Sequence, residues 1–166
     1  MQYKSDAQKE CFEKILPWLK GLPNQVIWDR EAENPTVYIT EGSACVLVEV
    51  LPWEDNAAID TRSYVVTHIN LQASLLEFLL RENDRLLFGA FGIDSDGDIF
   101  LGHTIVGSEC DKDELETSVR SILALADDYD DVIVDRWGGQ RAVDRTPNRS
   151  EASSANQTFR RTAVPG

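Results

Sequence analysis

The sequence predicts an α+β fold in which helices pack on an antiparallel sheet. Two observations lead to this class. Apolar residues recur at helical spacing near both ends and in the middle of the chain, and four short segments rich in β-branched and aromatic residues follow the first helix. Only short turns separate these segments, which favours antiparallel pairing because parallel strands need a long crossover. The length of 166 residues suits one main hydrophobic core.

The first predicted helix starts after Ser5, whose side chain can cap the free amides of the first turn. Its apolar face consists of Cys11, Phe12, Ile15, Leu16 and Leu19. Pro17 lacks a backbone donor and crowds the preceding turn, so the helix is predicted to kink or to end near Leu16.

The stretch between this helix and the next is predicted to form strands. The strand segments are Val26–Trp28, Thr36–Thr40, Cys45–Val50 and Tyr64–Ile69. In the third segment Val46, Val48 and Val50 alternate with Leu47 and Glu49, which indicates one buried face and one partly exposed face.

A second helix is predicted after Asn70, a suitable N-cap. Its apolar stripe is made of Leu71, Leu75, Leu76, Phe78, Leu79 and Leu80. A stripe this wide is expected to be largely buried. Asn83 is expected to end the helix in a left-handed conformation, which asparagine tolerates better than most residues.

A hairpin and a long helix complete the predicted fold. Residues 87–93 and 99–106 alternate as two strands around the Asp96-Gly97 turn. Asp111 and Glu114 form a capping box, and apolar residues then recur without a break up to Gly138-Gly139. We therefore predict one helix of about 27 residues. Its acidic residues, taken as a solvated interruption of the apolar face, are Asp127, Asp128, Asp130 and Asp131. A break at these residues is the alternative.

The formal net charge of −13 is unevenly distributed along the chain. Residues 140–166 hold five arginines against Asp144 and Glu151, a charge of +3, which leaves −16 on residues 1–139. Because an acidic body repels phosphate, neither nucleic acid nor an anionic membrane surface is expected as a partner. Solubility alone explains this charge, and attraction of a basic partner is the alternative.

Cysteine use and composition indicate the compartment and the domain boundary. Cys11, Cys45 and Cys110 form an odd set without a redox or metal spacing, which favours a reducing compartment, so we expect a cytoplasmic protein. Neither a secretory signal nor an apolar run near the roughly 18 residues of a membrane span is recognised. Residues 1–139 are predicted to form one domain, and the chain from 140 to 166, poor in large apolar residues, a flexible Arg/Ser-rich tail.

Catalytic and metal-binding patterns are weak in this sequence. Cys110 precedes the last helix, where the helix dipole would stabilise a thiolate, and His103 lies on the preceding strand, but no residue orients the histidine. The acidic turn places Asp94, Asp96 and Asp98 close together as a candidate cation site. An EF-hand register fails there, because its first ligand would be Gly92. No enzyme activity, resident metal or cofactor is expected.

The hairpin and its flanking helices resemble the YbjN-like family of bacterial sensory transduction regulators, which shares its fold with type III secretion chaperones of the CesT type. The residues that carry the resemblance are Leu79-Leu80, Asn83, Leu86–Gly89, Phe91–Asp94, Asp96–Ile99, Leu101, Glu114-Leu115 and Ala126–Asp130. The resemblance covers residues 70–139 well and the first strands only by the order of elements. It implies an α-β-β-β-α-β-β-α domain, often dimeric, that binds protein segments.

These considerations lead to two functional hypotheses. The first is a non-enzymatic, chaperone-like or regulatory module that binds an extended segment of a protein client at an apolar sheet edge, as edge strands and apolar grooves allow. The candidate client-binding residues are Trp28, Tyr38, Leu47, Leu51, Trp53 and Phe100. The alternative is a small-ligand or cation sensor that uses the acidic hairpin end at Asp94, Asp96 and Asp98.

Overall fold

The computed structural model of the chain describes residues 3–42 and 44–144. The first half contains α1 (Asp6–Lys20), β1 (Gln25–Asp29), β2 (Thr36–Glu41), β3 (Ala44–Trp53) and β4 (Asn56–Thr67). The second half contains α2 (Ala73–Asn83), β5 (Ala90–Ile93), β6 (Ile99–Val106), α3 (Lys112–Trp137), β7 (Gln140–Arg141) and a 3-10 turn at Ala142–Asp144. The α+β class and the long last helix are confirmed.

All strands join one antiparallel sheet in the order β1-β2-β3-β4-β6-β5, and the two-residue β7 pairs with the end of β4. Four strands precede α2, as the four separate segments of the sequence indicate. The helices α1 and α3 contact the central strands and each other. Apolar residues from every second strand position fill the space beneath them, among them Val37, Val48 and Ile59, which are fully buried. This layer is the hydrophobic core.

The helix α1 does not end at Leu16 but continues through Pro17 to Lys20. The predicted cap is present, since Ser5 Oγ accepts a hydrogen bond from the Gln8 amide at 3.1 Å. Pro17 leaves one carbonyl of the preceding turn without its usual donor. The last turn nevertheless forms because Leu19 is buried in the core, and the Gly21 amide donates to the Pro17 and Trp18 carbonyls.

The strand β4 begins at Asn56, eight residues before the predicted start at Tyr64. Polar residues such as Asp60 and Arg62 hide it in the sequence, although Ile59 and Thr61, which alternate with them, are buried under the helices. A register shift between Tyr64 and Val66 marks a bulge near its end. The strand stops before Ile69 because His68 takes a left-handed conformation with φ 54°, and its amide donates to Asp98 Oδ1 at 3.1 Å.

The helix α2 differs from its prediction at both ends and in its burial. Gln72, not Asn70, is the N-cap, and its side chain makes no capping hydrogen bond. Leu75 and Leu79 are buried, but Leu76 and Leu80 are exposed, Leu80 by 71%. An 11-residue helix beside the edge strand can bury only the side that touches its neighbours. The expectation that the stripe is largely buried is therefore wrong, since Leu71 is exposed as well.

Asn83 does not end α2 in a left-handed conformation; Asp84 is the C-cap and has a right-handed conformation. Instead, the Asn83 amide group pairs with the backbone of the edge strand β5. The Phe91 amide donates to Asn83 Oδ1 at 2.7 Å, and Asn83 Nδ2 donates to the Phe91 carbonyl at 3.3 Å. The side chain thus occupies the place of a further strand beside β5.

The first hairpin strand is shorter than predicted and starts at Ala90 rather than Leu87. Gly89 has φ +78°, and an added Cβ would lie 2.6 Å from Ile122 Cδ1. This left-handed residue packed against α3 ends the extended segment, and Leu87 before it is 91% exposed. The second hairpin strand, at Ile99–Val106, has the predicted bounds.

The last helix is continuous, as predicted, and Asp111 Oδ1 accepts from the Glu114 amide at 2.8 Å. One of its four acids is not solvated as expected: Asp130 is buried, whereas Asp127, Asp128 and Asp131 are exposed. Burial raises the pKa of the Asp130 carboxyl above its ordinary value, and the charge of Asp131 acts in the same direction.

The described chain extends beyond the predicted domain boundary at residue 139. Gln140 pairs with Thr67 and Arg141 with Val66, so β7 is part of the sheet. Arg141 also approaches Asp131 Oδ1 at 3.3 Å. The remainder of the predicted tail, residues 145–166, lies outside the described residues.

The Asn83–Phe91 pairing predicts a stability cost when the amide is removed. Asn83→Ala leaves the Phe91 amide and carbonyl without these partners, so we expect the free energy of unfolding in urea to fall by about 1–2 kcal/mol. The neighbouring Asp84→Ala is the control, and its exposed position predicts a change within about 0.5 kcal/mol. Equal unfolding of Asn83→Ala and the wild type would contradict a structural role of this amide.

The burial of Asp130 predicts a pH-dependent effect. A carboxyl group whose pKa is raised on folding binds more protons in the native state, so its ionisation opposes folding above that pKa. We expect Asp130→Asn to raise the melting temperature at pH 7, with an advantage over the wild type that shrinks as the pH falls towards 4. The exposed Asp128→Asn serves as control. A melting temperature lowered at pH 7 by Asp130→Asn alone would show that the carboxylate stabilises the fold.

Candidate functional site

The sheet has one face covered by helices and one face that no described helix covers. Side chains alternate across a strand, so residues two apart share a face. On β3, Val46, Val48 and Val50 are buried towards the helices, while Leu47 and Leu51 between them are half-buried. We call the side that carries Leu47 the open face. Its apolar members on the paired strands are Ile27, Tyr38, Leu47, Leu51, Trp53, Tyr64, Phe100 and Val106.

Five of the six predicted client-binding residues lie on the open face. Tyr38 pairs with Leu47 across β2 and β3, and both are half-buried. Leu51 lies further along β3, and Phe100 pairs with Tyr64 across β6 and β4. Trp53 continues the same alternation at the end of β3 and is 40% exposed. The open face thus brings together side chains that are distant in the sequence.

Trp28 lies on the opposite, helix-covered face. It pairs with Val37, a fully buried residue, and its ring packs against Phe12 of α1 with 5.7 Å between ring centroids. Its neighbour on β1, Ile27, pairs with Tyr38 on the open face and is 49% exposed. Sequence reasoning assigned the aromatic residue to the surface, but alternation in register with Tyr38 places Ile27 there instead.

A charged pair lies in the middle of the open face. Arg62 pairs with Asp60 Oδ2 at 3.2 Å, and Asp60 Oδ1 accepts from Thr104 Oγ1 at 2.9 Å. The guanidinium also stacks on Phe100, with its central carbon 4.1 Å from the ring centroid. Such stacking adds a cation–π attraction to the ion pair. Arg62 is therefore held flat on the sheet between apolar side chains.

The strand glycines have a local explanation. An added Cβ at Gly92 would lie 2.4 Å from Phe100 Cζ, and one at Gly102 would lie 3.3 Å from the same ring. The Phe100 ring thus fills the space that side chains on β5 and β6 would otherwise take. The glycines fix the position of Phe100 on the open face rather than leaving an empty surface.

A polar chain links α1 to the open face. Gln8 is fully buried, and its Nε2 donates to the Val50 carbonyl at 2.8 Å and to Asn34 Oδ1 at 3.3 Å. Asn34 Nδ2 in turn donates to Glu49 Oε1 at 2.9 Å. Burial raises the pKa of the Glu49 carboxyl, partly offset by this hydrogen bond. Glu49 is thus an acid within an apolar surface, next to Asp60 in the register.

The two edges of the sheet differ. At one edge, β5 has only four residues, and Asn83 already pairs with its backbone. At the other edge, β1 pairs with β2 on one side, and no strand among the described residues pairs with its outer side. An unpaired edge offers backbone donors and acceptors to another strand. The outer edge of β1 is therefore the edge of the sheet open to pairing.

A second apolar surface, which the sequence analysis missed, lies on α2. Leu76 and Leu80 are exposed and contribute to a shallow groove between α2 and β5. The polar residues around them are Glu77, Arg81, Asp84 and Arg85. We call Leu76, Leu80 and these four residues the α2 patch. The signal in the sequence was the width of the apolar stripe, which exceeds what one short helix can bury.

The acidic turn uses its carboxylates internally. Asp94 Oδ1 accepts from the amides of Asp96 and Asp98 at 3.0 and 2.9 Å, and Asp98 Oδ1 accepts from the His68 amide. Gly97 takes φ +86° to close the turn. Within residues 3–42 and 44–144, no group of three His, Cys, Asp or Glu side chains is placed to hold a metal ion.

Cys110 and His103 do not form a catalytic pair. His103 Nδ1 lies 2.9 Å from Ser118 Oγ, and the buried Cys110 thiol donates to the Asp111 carbonyl at 3.3 Å. Burial, with the nearby Glu114 carboxylate, raises the pKa of the Cys110 thiol to about 11. The thiolate expected from the helix dipole is therefore disfavoured at neutral pH.

No helix in the described part of the chain has the length and apolar character needed to cross a membrane.

Several solved structures share this fold, and two of them serve as examples. A chain in the crystal structure of the ExsC–ExsE complex superposes with a TM-score of 0.56 at 17% sequence identity, over 76% of this chain and 95% of that chain. A chain in the structure of the HopA1–SchA chaperone–effector complex gives a TM-score of 0.55 at 12% identity, over 74% and 96% of the two chains. No curated protein matches the sequence.

The family match is more direct. Residues 19–145 match the family described as T3SS (YopN, CesT) and YbjN peptide-binding chaperone 1, or TY-Chap1. The match includes all seven strands, α2 and α3. It also agrees with the YbjN-like and CesT-type resemblance of the hairpin region. The chain belongs to the family of T3SS and YbjN peptide-binding chaperones.

Proposed function

We propose that this protein binds extended peptide segments of client proteins on the open face and along the outer edge of β1, without catalysing a reaction. The observation that carries the proposal is an apolar sheet face beside an unpaired strand edge, Gln25–Asp29, while the opposite edge is closed by Asn83. The family description, which names peptide binding and no reaction, supports it.

The physical basis is strand addition. A client segment beside β1 would form main-chain hydrogen bonds that do not depend on its sequence. Its alternate side chains would lie beside Ile27, the first member of a row that continues with Tyr38 and Leu47 across three strands. Affinity would come from the backbone and from apolar burial, and selectivity from the shape and charge of the open face.

The charged residues of the open face favour apolar clients with some basic character. Glu49 and Asp60 lie side by side in the register, and Arg62 neutralises only part of their charge. An acidic client segment would also approach a body with a formal charge of −16 over residues 1–139. Repulsion between these like charges opposes association of an acidic client.

The structures with the same fold suggest the class of partner. One is the ExsC–ExsE complex, and the other is described as a chaperone–effector complex. For this protein we propose only the same class of partner, a segment of another protein. A cytoplasmic location, predicted from the cysteines, fits this proposal. The alternative of a cation or small-ligand sensor has no supporting observation, since Asp94 and Asp98 bind backbone amides.

A homodimer is the second part of the proposal, and the α2 patch is its proposed interface. The patch exposes Leu76 and Leu80, and its two acids, Glu77 and Asp84, equal its two arginines, Arg81 and Arg85, in number. Two copies of an acidic chain repel each other over most of their surface, so a neutral apolar patch is the favourable place for self-association. A two-fold interface also requires one self-complementary surface.

Truncation of the open face tests the client site. Peptides selected from a displayed random library against the full chain serve as the probe. We expect Trp53→Ala and Leu51→Ala each to weaken peptide binding by about 1 kcal/mol or more, measured by calorimetry, because each removes apolar area from the surface. Leu87→Ala, outside the open face, should bind like the wild type.

The salt dependence of the same affinities separates apolar from electrostatic capture. We expect only a modest fall in affinity between low and moderate salt. A steep fall combined with unchanged binding by Trp53→Ala would contradict the open-face site and indicate association driven by charge.

The dimer interface is tested by solution mass. We expect light scattering to give twice the chain mass for the wild type and the mass of one chain for Leu80→Asp, since a buried unpaired carboxylate opposes association. Leu87→Asp, exposed but outside the α2 patch, should remain dimeric. A wild-type monomer, or a Leu80→Asp dimer, would refute this interface.

A further inference from the structure

The chain leaves the described structure at the end of the sheet where β3 begins. Val66 pairs with Ile99 of β6 on one side and with Arg141 of β7 on the other. Since β3 also pairs with β4 on the side away from β6, β7 lies in line with β3. Both run antiparallel to β4, so β7 points towards the first residues of β3, Ala44 and Cys45, and the 3-10 turn at Ala142–Asp144 follows it. Cys45 lies on the open face and is exposed.

The segment that follows has the composition of a ligand for this face. Residues 145–166 hold four arginines and one glutamate, in contrast to the acidic body. Within them, residues 157–164 read QTFRRTAV, in which the aromatic Phe159 precedes Arg160 and Arg161. Thr, Phe and Val are frequent in strands. Residues 157–164 lie past residue 145, where the family match ends.

We propose that residues 157–164 bind the open face of their own chain and compete there with clients. Phe159 provides the apolar side chain for the surface around Tyr38, Leu47 and Tyr64, and the two arginines provide basic charge beside the half-buried Glu49 on an acidic body. This inference rests on the proposed function, because it assigns a regulator to the same surface.

The length of the intervening chain permits this contact. Residues 145–156 can span up to about 40 Å when extended, at roughly 3.3 Å per residue. The six paired strands from β1 to β5 span about 24 Å, at a spacing of roughly 4.8 Å. A tethered segment is present at an effective concentration of about a millimolar or more. Even a weak contact would therefore be populated.

Occupation by the segment would have two consequences. It would cover an apolar face that otherwise contacts water, which limits non-specific association. It would also reduce the apparent affinity for clients in proportion to the fraction of chains whose face is occupied. Only clients that bind better than the chain's own segment would be retained.

Cys45 is the probe for this contact. The experiment measures the rate of alkylation of Cys45 by the neutral reagent iodoacetamide, by mass spectrometry, in the full chain and in Phe159→Ser/Arg160→Ser/Arg161→Ser. If the segment occupies the face about four-fifths of the time, Cys45 should react about fivefold faster in this variant. Arg145→Ser/Arg149→Ser, which removes the same number of arginines, should react like the wild type. The buried Cys11 and Cys110 report on unfolding.

Equal Cys45 rates in the wild type and the Phe159 variant would overturn the inference. A difference that disappears on dilution would also overturn it, because the segment would then bind a second copy. Library-selected peptides separate this result from the proposed function. If they bind wild type and variant equally, with equal Cys45 rates, only the inference fails; if Cys45 is protected but no peptide binds either protein, the client site fails.

Discussion

Packing of α3 and α1 on a single face of the sheet is the constraint on which the rest of the structure depends. The 26-residue α3 contacts β3, β4 and β6, and α1 contacts β3 and β4 on the same side. Their apolar side chains bury Val48, Ile59 and Leu101 completely. Because side chains alternate along a strand, burying one face necessarily turns the other towards solvent. The open face is the direct result of this arrangement.

The edges of the sheet then determine where another chain can add. Asn83 donates to and accepts from the Phe91 backbone, which closes the short strand β5. The α2 helix that supplies Asn83 also presents Leu76 and Leu80 outwards, so closing this edge creates an apolar patch suited to self-association. The outer edge of β1 has no such cover among the described residues. One edge thus suits a second copy and the other an extended client.

Periodicity in the sequence predicted the class, the capping of α1 and α3 and the continuity of α3, because these depend on local hydrogen bonds and on repeated apolar spacing. It failed for β4, where Asp60 and Arg62 form a pair visible only after folding. It failed for Trp28 because the face on which a strand residue lies depends on the register with the neighbouring strand. It failed for Leu80 because the burial of a helix face depends on the size of the element beside it. The role of Asn83 was hidden because its partner, Phe91, is recognisable only when the strand edge is in place.

Hydrogen exchange tests strand addition most directly. Backbone amides of the full chain are followed with and without a library-selected peptide. The account predicts that amides in Gln25–Asp29 exchange more slowly in the complex, because a client strand pairs with the outer edge of β1. The amides of Ala90–Ile93 should be unchanged. Protection of Ala90–Ile93 with no change in Gln25–Asp29 would contradict the account.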